Sequence, residues 1–332
     1  MTTHNRLMLP VENRAFELPK EGVIAVYRAH GSYATLPKDR LICFQGFFPT
    51  HETLASEGYI TVTTPPENTT LAIVHITRSK DETRDLVAKA YDSLRLNGIL
   101  LIDGAKNLGI ESLLKEAKKR TPVKGQISKS HGKVFWLSKQ SEINPFIDWI
   151  NPTTPTKNKD GWYTSAGVFS ADGIDPGSTE LARAFAGKLK GKTVDLGAGW
   201  GWLSAKALTT CPDIKKINLI EAEHAALDCA KLNIIDTRAA FYWADATRLS
   251  TKNDYDAVIS NPPFHTNRKA DPTLGCAFIH SAATLLKPTG QMFLVANRQL
   301  AYEATLNDCF AHWEVTAQTN RYKIVHARKP KS

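Results

Sequence analysis

Short, mostly apolar runs alternate with amphipathic stretches in the second half of the chain. Each run is followed by glycine, acidic or proline residues, and the runs occupy 193–196, 217–220, 241–243 and 257–259. Runs of this length, bounded by turn-forming residues, are typical of buried strands. The stretch before the first run, Thr179 to Leu189, has the apolar spacing of a helix. This alternation predicts an α/β fold with a mainly parallel sheet, helices on both faces, and an antiparallel strand in a closing hairpin at about 312–328.

The first half repeats this organisation weakly. Residues 94–102 (LRLNGILLI) parallel residues 286–294 (LKPTGQMFL), and both predict a helix end, a glycine stop and a strand. Residues 132–136 and 322–326 both predict the last strand of a hairpin. We interpret the chain as a duplicated fold, with the alternative that any two α/β domains share such runs.

The length of 332 residues favours two domains. Residues 151–160 contain two prolines and no apolar side chain, so we expect a linker there between domains at 1–150 and 161–332. No run approaches the ~20 apolar residues of a membrane span, and the start of the chain lacks a signal-peptide core. We therefore expect no membrane partner.

The net charge and the cysteine content indicate which partners and which cellular compartment to expect. The formal net charge is +9, which is compatible with binding nucleic acid. The five cysteines are scattered without a Cys-x-x-Cys pair, which argues against a zinc site or disulfide framework and suits the reducing cytoplasm. A basic cluster in the first half is expected to be a solvated helix face, with RNA contact as the alternative; it comprises Lys115, Lys118, Lys119, Arg120, Lys124, Lys129 and Lys133.

The segment 192–201 (KTVDLGAGWG) predicts a buried strand that enters a glycine turn before a helix. Glycine permits positive φ and lets a ligand approach the backbone, here at Gly197, Ala198 and Gly199. The spacing lacks the third glycine of a dinucleotide fingerprint, because Trp202 stands in its place. Asp195, two positions before the first glycine, suits a cofactor with a cationic amino-acid group better than a pyrophosphate.

Two further acids follow the next predicted strands. Glu221, with Ala222, lies about 20 residues after the glycine loop, the separation of a carboxylate that holds ribose hydroxyls. Asp245, with Ala246, follows the strand at 241–243 and could accept a hydrogen bond from an adenine amino group. Each acid alone could also be a solvated strand end.

Asn261-Pro262-Pro263-Phe264 follows the apolar run at 257–259. A planar exocyclic amine is a poor nucleophile, because its lone pair is delocalised. If the Asn261 side-chain oxygen and the Pro262 carbonyl accept its N–H bonds, the lone pair turns toward an electrophile. The prolines fix the backbone, and Phe264 offers a ring on which a base can stack. The alternative is a proline-rich turn that ends a strand.

The order of these motifs resembles the class I S-adenosylmethionine-dependent methyltransferases that act on amino nitrogens. The segment 167–178 (GVFSADGIDPGS) is similar to the lead-in of the "methyltransferase small" family, which includes the C-type bacterial 16S ribosomal RNA guanine-N2 methyltransferases. Residues 315–323 are similar to the closing hairpin of that type. The bulky Trp200 and Trp202 depart from the usual loop, which puts the seating of the cofactor in question.

The resemblance implies two tandem methyltransferase-like (Rossmann-like) domains, of which the first is degenerate. Residues 41–48 stand where the acid–glycine loop is expected, without its acid or glycine series, and residues 77–80 replace Asn-Pro-Pro-Phe after the run at 71–76. The first domain is thus expected to bind no S-adenosylmethionine and to contact RNA or support folding.

The resemblance also implies transfer of a methyl group from S-adenosylmethionine to the N2 amino group of a guanine in small-subunit ribosomal RNA. Asn261 and Pro262 would position the amine, while Phe169, Asp175 and Ser178 would close over cofactor and base. The expected partner is ribosomal RNA or the small subunit. The sequence does not determine the oligomeric state, for which a monomer is the default.

Two competing functions remain open from the sequence. Asn-Pro-Pro-aromatic motifs also serve methylation of DNA adenine and of glutamine in release factors, whose enzymes usually carry tyrosine where this chain has Phe264. The chain could instead be a non-catalytic RNA-binding ribosome assembly factor. The intact Asp195 loop and Asn261 motif argue against the last alternative.

Overall fold

The computed structural model describes residues 4–150, 155–263 and 272–331. The chain divides into two compact units, residues 1–153 and 154–332. Each unit contains a seven-stranded sheet flanked by helices.

The first unit contains five α-helices and seven strands among its described residues. They are, in chain order, α1 (His4–Leu7), α2 (Leu9–Glu12), β1 (Val23–Tyr27), β2 (Leu41–Phe44), α3 (Phe48–Ser56), β3 (Ile60–Val62), β4 (Thr69–His75), α4 (Lys80–Ser93), β5 (Leu94–Ala105), α5 (Ile110–Lys118), β6 (Gly125–Lys129) and β7 (Gly132–Ser138).

The second unit follows with a two-stranded hairpin and then the second large sheet. Its elements are β8 (Thr156–Lys157), β9 (Tyr163–Thr164), α6 (Pro176–Phe185), β10 (Gly191–Leu196), α7 (Trp202–Thr210), β11 (Ile214–Glu221), α8 (His224–Asn233), β12 (Ala239–Trp243), β13 (Tyr255–Ser260), α9 (Pro272–Leu285), β14 (Leu286–Asn297), α10 (Glu303–Cys309), β15 (Phe310–Gln318) and β16 (Tyr322–Pro330).

The two sheets have the same topology. The first has the order β3-β2-β1-β4-β5-β7-β6 and the second β12-β11-β10-β13-β14-β16-β15. Five strands of each sheet are parallel, and a terminal hairpin adds two antiparallel strands. The prediction of two tandem, mainly parallel α/β domains is confirmed.

Alternate residues of the central strands of the second sheet face two different cores. Val194, Leu196 and Val258 pack on one face, whereas Ala257 and Ile259 pack on the other. This follows from the period of two along a strand, and a parallel sheet covered on both faces reads as a nearly continuous apolar run. Burial on both faces therefore explains why these strands stand out in the sequence.

Several local predictions were wrong in their boundaries. The predicted helix 179–189 is α6, which begins three residues earlier and ends at Phe185. It begins there because Pro176 takes the first helical position and the Asp175 side chain caps the helix. The predicted linker contains the short strand β8, which pairs with β9.

Two assignments within the predicted internal repeat were also wrong. Residues 94–96 and 286–288 begin the strands β5 and β14 rather than ending helices. Residues 41–48 begin with β2, the counterpart of β11, so they do not stand at the position of the glycine loop. The counterpart of β10 is β1, an apolar run that the sequence analysis had not assigned.

Candidate active site

Four of the predicted polar features lie at one edge of the second sheet. β12, β11, β10 and β13 are parallel neighbours in that order. Their carboxyl ends therefore share an edge, where ligands of open α/β sheets bind. Glu221 ends β11, and Asn261 directly follows β13. Asp245 follows β12 by two residues. The structure therefore brings together features that are spaced about 20 residues apart in the sequence.

Asp195 is fully buried between the sheet and α7. Its Oδ2 accepts a hydrogen bond of 2.7 Å from the Ser204 hydroxyl. Its Oδ1 has no hydrogen-bond partner among the described residues. Burial raises the pKa of Asp195 to about 7. The hydrogen bond from Ser204 lowers this pKa, and the charge of Glu221 raises it further. A buried acceptor without a donor is costly, and it fits a site that receives a positively charged group.

The glycine loop closes over the end of the sheet through backbone bonds. The N–H groups of Gly197 and Ala198 both donate to the Ile220 carbonyl. Gly197 and Gly199 have φ of +72° and +56°, in the left-handed region that favours glycine. A Cβ at Gly199 would meet nothing within 4 Å, so the loop borders open space at this point. A ligand can therefore approach its backbone.

The two tryptophans of the loop are buried in the core and do not fill this space. Trp200 is 5% and Trp202 7% exposed, and both pack in the cluster on the α7 face. The Trp200 indole N–H donates to the Phe169 carbonyl at 2.9 Å. Trp200, one of the two bulky residues that depart from the family pattern, thus anchors the lead-in segment to the loop.

Glu221 joins the glycine loop to the start of α8. Its Oε2 accepts from the Gly199 N–H and its Oε1 from the Glu223 N–H, both at 2.7 Å. Each carboxylate oxygen retains a further lone pair for a ligand hydroxyl. Burial raises the pKa of Glu221, opposed by these backbone bonds. The neighbouring Ala222 carbonyl accepts from the Trp243 indole, which ties β11 to β12.

Asp245 forms the turn after β12. Its Oδ1 accepts from the Thr247 N–H and hydroxyl, at 2.8 and 2.7 Å. Its Oδ2 lies 3.8 Å from the Arg248 Nε, too far for a hydrogen bond. Ala246 is buried, and its carbonyl accepts from the Ser281 hydroxyl on α9. The turn is held from two sides and leaves one carboxylate oxygen for a ligand.

Asn261 is held in one orientation by the lead-in segment. Its Nδ2 donates to Asp175 Oδ2 at 3.0 Å and to Ser178 Oγ at 2.8 Å. A carboxylate can only accept, so the amide nitrogen must face Asp175 and the carbonyl oxygen must point away. That oxygen is buried and has no partner among the described residues. It is an acceptor fixed in place and lacking a donor, as the capture of an amino group requires.

The remaining predicted residues lie around this centre. Phe169 is 60% exposed, so it is not part of the core. Pro262 is buried and Pro263 exposed. Phe264, the predicted stacking residue, lies outside the described residues.

Removal of the Asp175 side chain is expected to lower kcat about tenfold, the value of one charge-assisted hydrogen bond. Asp175→Ala leaves the Ser178 hydroxyl as the amide's remaining partner among the described residues, and a hydroxyl can donate as well as accept, so the Asn261 oxygen is no longer fixed in one orientation. The measurement is kcat and KM for methyl transfer, with the Kd for S-adenosylmethionine expected to stay within twofold.

The same variant also removes the cap of α6, at a cost of about 1 kcal/mol. Ser79→Ala is the matched control, because Ser79 caps α4 in the other unit through the same kind of bond. Asp175→Asn retains an oxygen acceptor and should recover most of the activity. Equal turnover in Asp175→Ala and Ser79→Ala would contradict a positioning role.

Matching strand registers identify what the first unit has at the same positions. Tyr27 and Val74 pair in the first sheet as Leu196 and Ser260 do in the second. Counting from these pairs and from the β2 and β11 registers gives the following replacements: Val26 for Asp195, Arg28 for Gly197, His30 for Gly199, Gln45 for Glu221 and His75 for Asn261.

The first unit keeps the backbone shape but fills the site with its own side chains. Gln45 Oε1 accepts from the Phe47 N–H, the counterpart of the bond from Glu223 to Glu221. It also accepts from the Arg28 guanidinium, and Arg28 retains a positive φ of 55°. His75 is buried and contacts the Tyr33 hydroxyl. The first unit therefore has neither an acid, nor the loop glycines, nor a carboxamide at the positions that match Asp195, Gly197, Gly199 and Asn261.

The basic cluster of the first unit is partly engaged in internal contacts. Lys133 is 7% exposed and pairs with Glu111. Arg120 makes a bidentate contact with Asp148 and lies over the Trp149 ring. These two residues are thus committed to the fold of their own unit, which weakens the case for RNA contact there.

Within residues 4–150, 155–263 and 272–331, no group of three or more His, Cys, Asp or Glu side chains is arranged to hold a metal ion. No helix in these ranges has the length and apolar character needed to cross a bilayer.

The sequence analysis missed Ser204 as a partner of Asp195. Ser204 lies in the first turn of α7, nine residues after the acid. The sequence does contain a signal for it, because Ser204 is a hydroxyl residue among the apolar residues of a helix that follows a glycine loop. It also missed that Asp175 and Ser178 act on Asn261, because they lie more than 80 residues earlier in the chain.

Comparison with known proteins gives one family and close agreement in fold. Residues 161–326, about half of the chain, match the methyltransferase small domain family. The chain is similar to the ribosomal RNA small subunit methyltransferase C of Psychromonas ingrahamii, at 27% identity over 77% of this chain and 74% of that protein. Its similarity to the protein of the same name from Shewanella pealeana is 29% over 76% and 75%.

A solved structure resembles the chain over almost its whole length. It is the T. thermophilus 16S rRNA N2 G1207 methyltransferase (RsmC) in complex with AdoMet and guanosine. The TM-score is 0.80 at 22% identity, with 98% of this chain and 91% of that chain covered. At this identity the likeness establishes the shared two-domain fold.

Proposed function

The chain belongs to the methyltransferase small domain family, and we propose that it transfers the methyl group of S-adenosylmethionine to the N2 amino group of a guanine in small-subunit ribosomal RNA. The observation that carries this proposal is the buried Asn261 oxygen, which has no donor among the described residues and is oriented by the bonds of its amide nitrogen to Asp175 and Ser178. The names of the similar curated proteins support the choice of small-subunit ribosomal RNA.

The residues present fit S-adenosylmethionine. The unpartnered oxygen of Asp195 suits the cationic amino-acid end of the cofactor. Glu221 lies at the strand end where a carboxylate holds ribose hydroxyls, and Asp245 has an oxygen for the adenine amino group. The open space beside Gly199 leaves room for a ligand against the loop.

The protein's contribution is alignment rather than acid–base chemistry. S-adenosylmethionine supplies an activated methyl group on a sulfonium. Asn261 Oδ1 and the Pro262 carbonyl accept the two N–H bonds of the guanine amine, which directs its lone pair along the line of transfer. The fixed Asn261 amide is preorganised, so little reorganisation is needed at the moment of reaction. The target base must be unpaired or leave its helix to reach this edge.

We assign the first unit to RNA binding or to support of the folding of its partner. In this unit the Arg28 guanidinium donates to Gln45, the residue at the position of Glu221. This contact supports the view that the first unit binds no S-adenosylmethionine. The five free cysteines support a reducing cytoplasm as the place of action.

The acceptor is tested by incubating the purified protein with labelled S-adenosylmethionine and each of three acceptors: small-subunit ribosomal RNA, duplex DNA and release factor. Label is expected in the RNA, and nucleoside digestion should yield N2-methylguanosine. Label in DNA or release factor, with none in RNA, would eliminate this function. Failure to bind S-adenosylmethionine at all would favour an assembly factor.

A further inference from the structure

A polar cleft opens next to the amine-binding edge of the second unit. It has a volume of about 650 Å³ and is lined by Asn297, Arg298, Gln299, Asn320, Arg321 and Tyr322. These residues follow the carboxyl end of β14 and form the turn that begins β16. β14 is the parallel neighbour of β13, whose end leads to Asn261. Leu294 pairs with Ser260, so Asn297 lies one strand to the side of Asn261 and two residues further along, about 8 Å away.

The two arginines of the cleft are not committed to the fold through their side chains. Arg298 and Arg321 are both exposed, and neither guanidinium has an ion pair or hydrogen bond among the described residues. Other arginines of this unit contrast with them, since Arg238 contacts Asp236 and Arg183 contacts Glu180. Two guanidinium groups on one cleft, without an acidic partner in the described part of the chain, suit a ligand that carries phosphate groups.

The backbone beneath these side chains is held rigidly. The Arg298 N–H donates to the Arg321 carbonyl at 2.7 Å, which joins the two segments of the cleft. Thr319 accepts from the N–H groups of Arg321 and Tyr322 and fixes the turn. The positions from which the guanidinium groups project are therefore set before a ligand binds.

Tyr322 connects the cleft to the residues that hold Asn261. A Cβ at Gly177 would lie 3.1 Å from Tyr322 Cε1, so the ring packs on the backbone of Gly177. Gly177 lies between Asp175 and Ser178, the two partners of the Asn261 amide. The cleft and the amine-binding centre thus share the first turn of α6.

We propose that this cleft binds the phosphates of the nucleotides that flank the target guanine, with Arg298 and Arg321 as the phosphate contacts. The inference rests on the proposed function for its choice of RNA. The amide side chains of Asn297, Gln299 and Asn320 add donors for phosphate and sugar oxygens. Such contacts fix the register of the strand, so that the target base reaches Asn261, and they do not take part in the transfer.

The test compares the double variant Arg298→Ala/Arg321→Ala with the wild-type chain. KM for the ribosomal RNA substrate is expected to rise about tenfold or more, with kcat and the Kd for S-adenosylmethionine within twofold. In direct binding to single-stranded RNA, the slope of log K against log salt should fall by about 0.7 for each lost phosphate contact.

The matched control is Lys215→Ala/Lys216→Ala. It removes the same charge from exposed positions at the amino end of β11, the opposite edge of the sheet. It should leave both KM and the salt slope close to wild type. Equal KM and equal salt slope in the two double variants would overturn the phosphate-binding cleft.

The salt slope separates this inference from the proposed function. If the wild-type chain methylates no ribosomal RNA but the arginine variant loses salt-dependent binding, the cleft stands and the assigned reaction fails. If the wild-type chain methylates ribosomal RNA and the arginine variant behaves like the lysine control, the reaction stands and the cleft fails.

Discussion

Asn261→Ala is expected to lower kcat about 100-fold or more while the Kd for S-adenosylmethionine stays within twofold. The Asn261 oxygen gains its donor only when the amine is bound, and its bond strengthens as charge develops on nitrogen, so its loss falls on the transition state. The measurement is steady-state methyl transfer to ribosomal RNA, together with calorimetric titration of the cofactor.

A second substitution separates the oxygen from the shape of the side chain. Asn261→Leu fills a similar volume without an acceptor and should be as inactive as Asn261→Ala. Ser260, the preceding residue, uses its hydroxyl to hold the Leu196 carbonyl, so Ser260→Ala tests for general damage to the strand. Turnover at the wild-type level in Asn261→Ala would remove this residue from the mechanism.

The affinity for S-adenosylmethionine is expected to rise with pH by up to tenfold per unit, or about 50-fold between pH 5 and 7, and then to level off. Burial raises the pKa of Asp195 to about 7 in the ligand-free protein, so the acid is protonated below that pH. A cationic ligand favours the carboxylate, and binding at low pH must therefore release a proton. The cofactor's own α-amino group stays protonated over this window.

The same raised pKa has a consequence for stability without ligand. The folded chain holds the Asp195 proton more tightly than the unfolded chain, so this contribution to stability is present at low pH and is lost as pH rises from about 4 to about 7. Cofactor binding should offset that loss, because it supplies the charge that the buried carboxylate lacks.

Calorimetric titration across pH measures this effect and also counts the sites. We expect one S-adenosylmethionine per chain, since the first unit has Val26 where the second has Asp195. Asp195→Asn should flatten the dependence on pH, whereas Asp245→Asn should weaken binding and keep the slope. A wild-type affinity that does not change from pH 5 to 7 would contradict the role of Asp195.

The features that the sequence predicted are those set by local pattern. The strands β10, β11 and β13 are short apolar runs, and the residues that follow them must lie at one edge once the sheet is parallel. For this reason Asp195, Glu221 and Asn261 could be grouped before their distances were known. The duplication was visible because Gly98 and Gly290 occupy the same place in matching strands.

The features that the sequence missed depend on contacts between distant segments. The bond from Asn261 to Asp175 spans 86 residues, and no periodicity encodes it. In the first unit, strand β2 was mistaken for the counterpart of β10, because the short run of β1 was not assigned from the sequence and β2 was therefore counted as the first strand. The cleft with Arg298 and Arg321 joins two turns that are separated in the chain by α10 and β15.

The most direct test of the central claim is mass analysis of nucleosides from 16S ribosomal RNA of cells that lack this chain. After complementation with the wild-type chain, N2-methylguanosine is expected to return to its full level at one nucleotide. After complementation with Asn261→Ala at equal protein abundance, that nucleotide should remain largely unmethylated. Full methylation without the chain, or its full restoration by Asn261→Ala, would contradict the account.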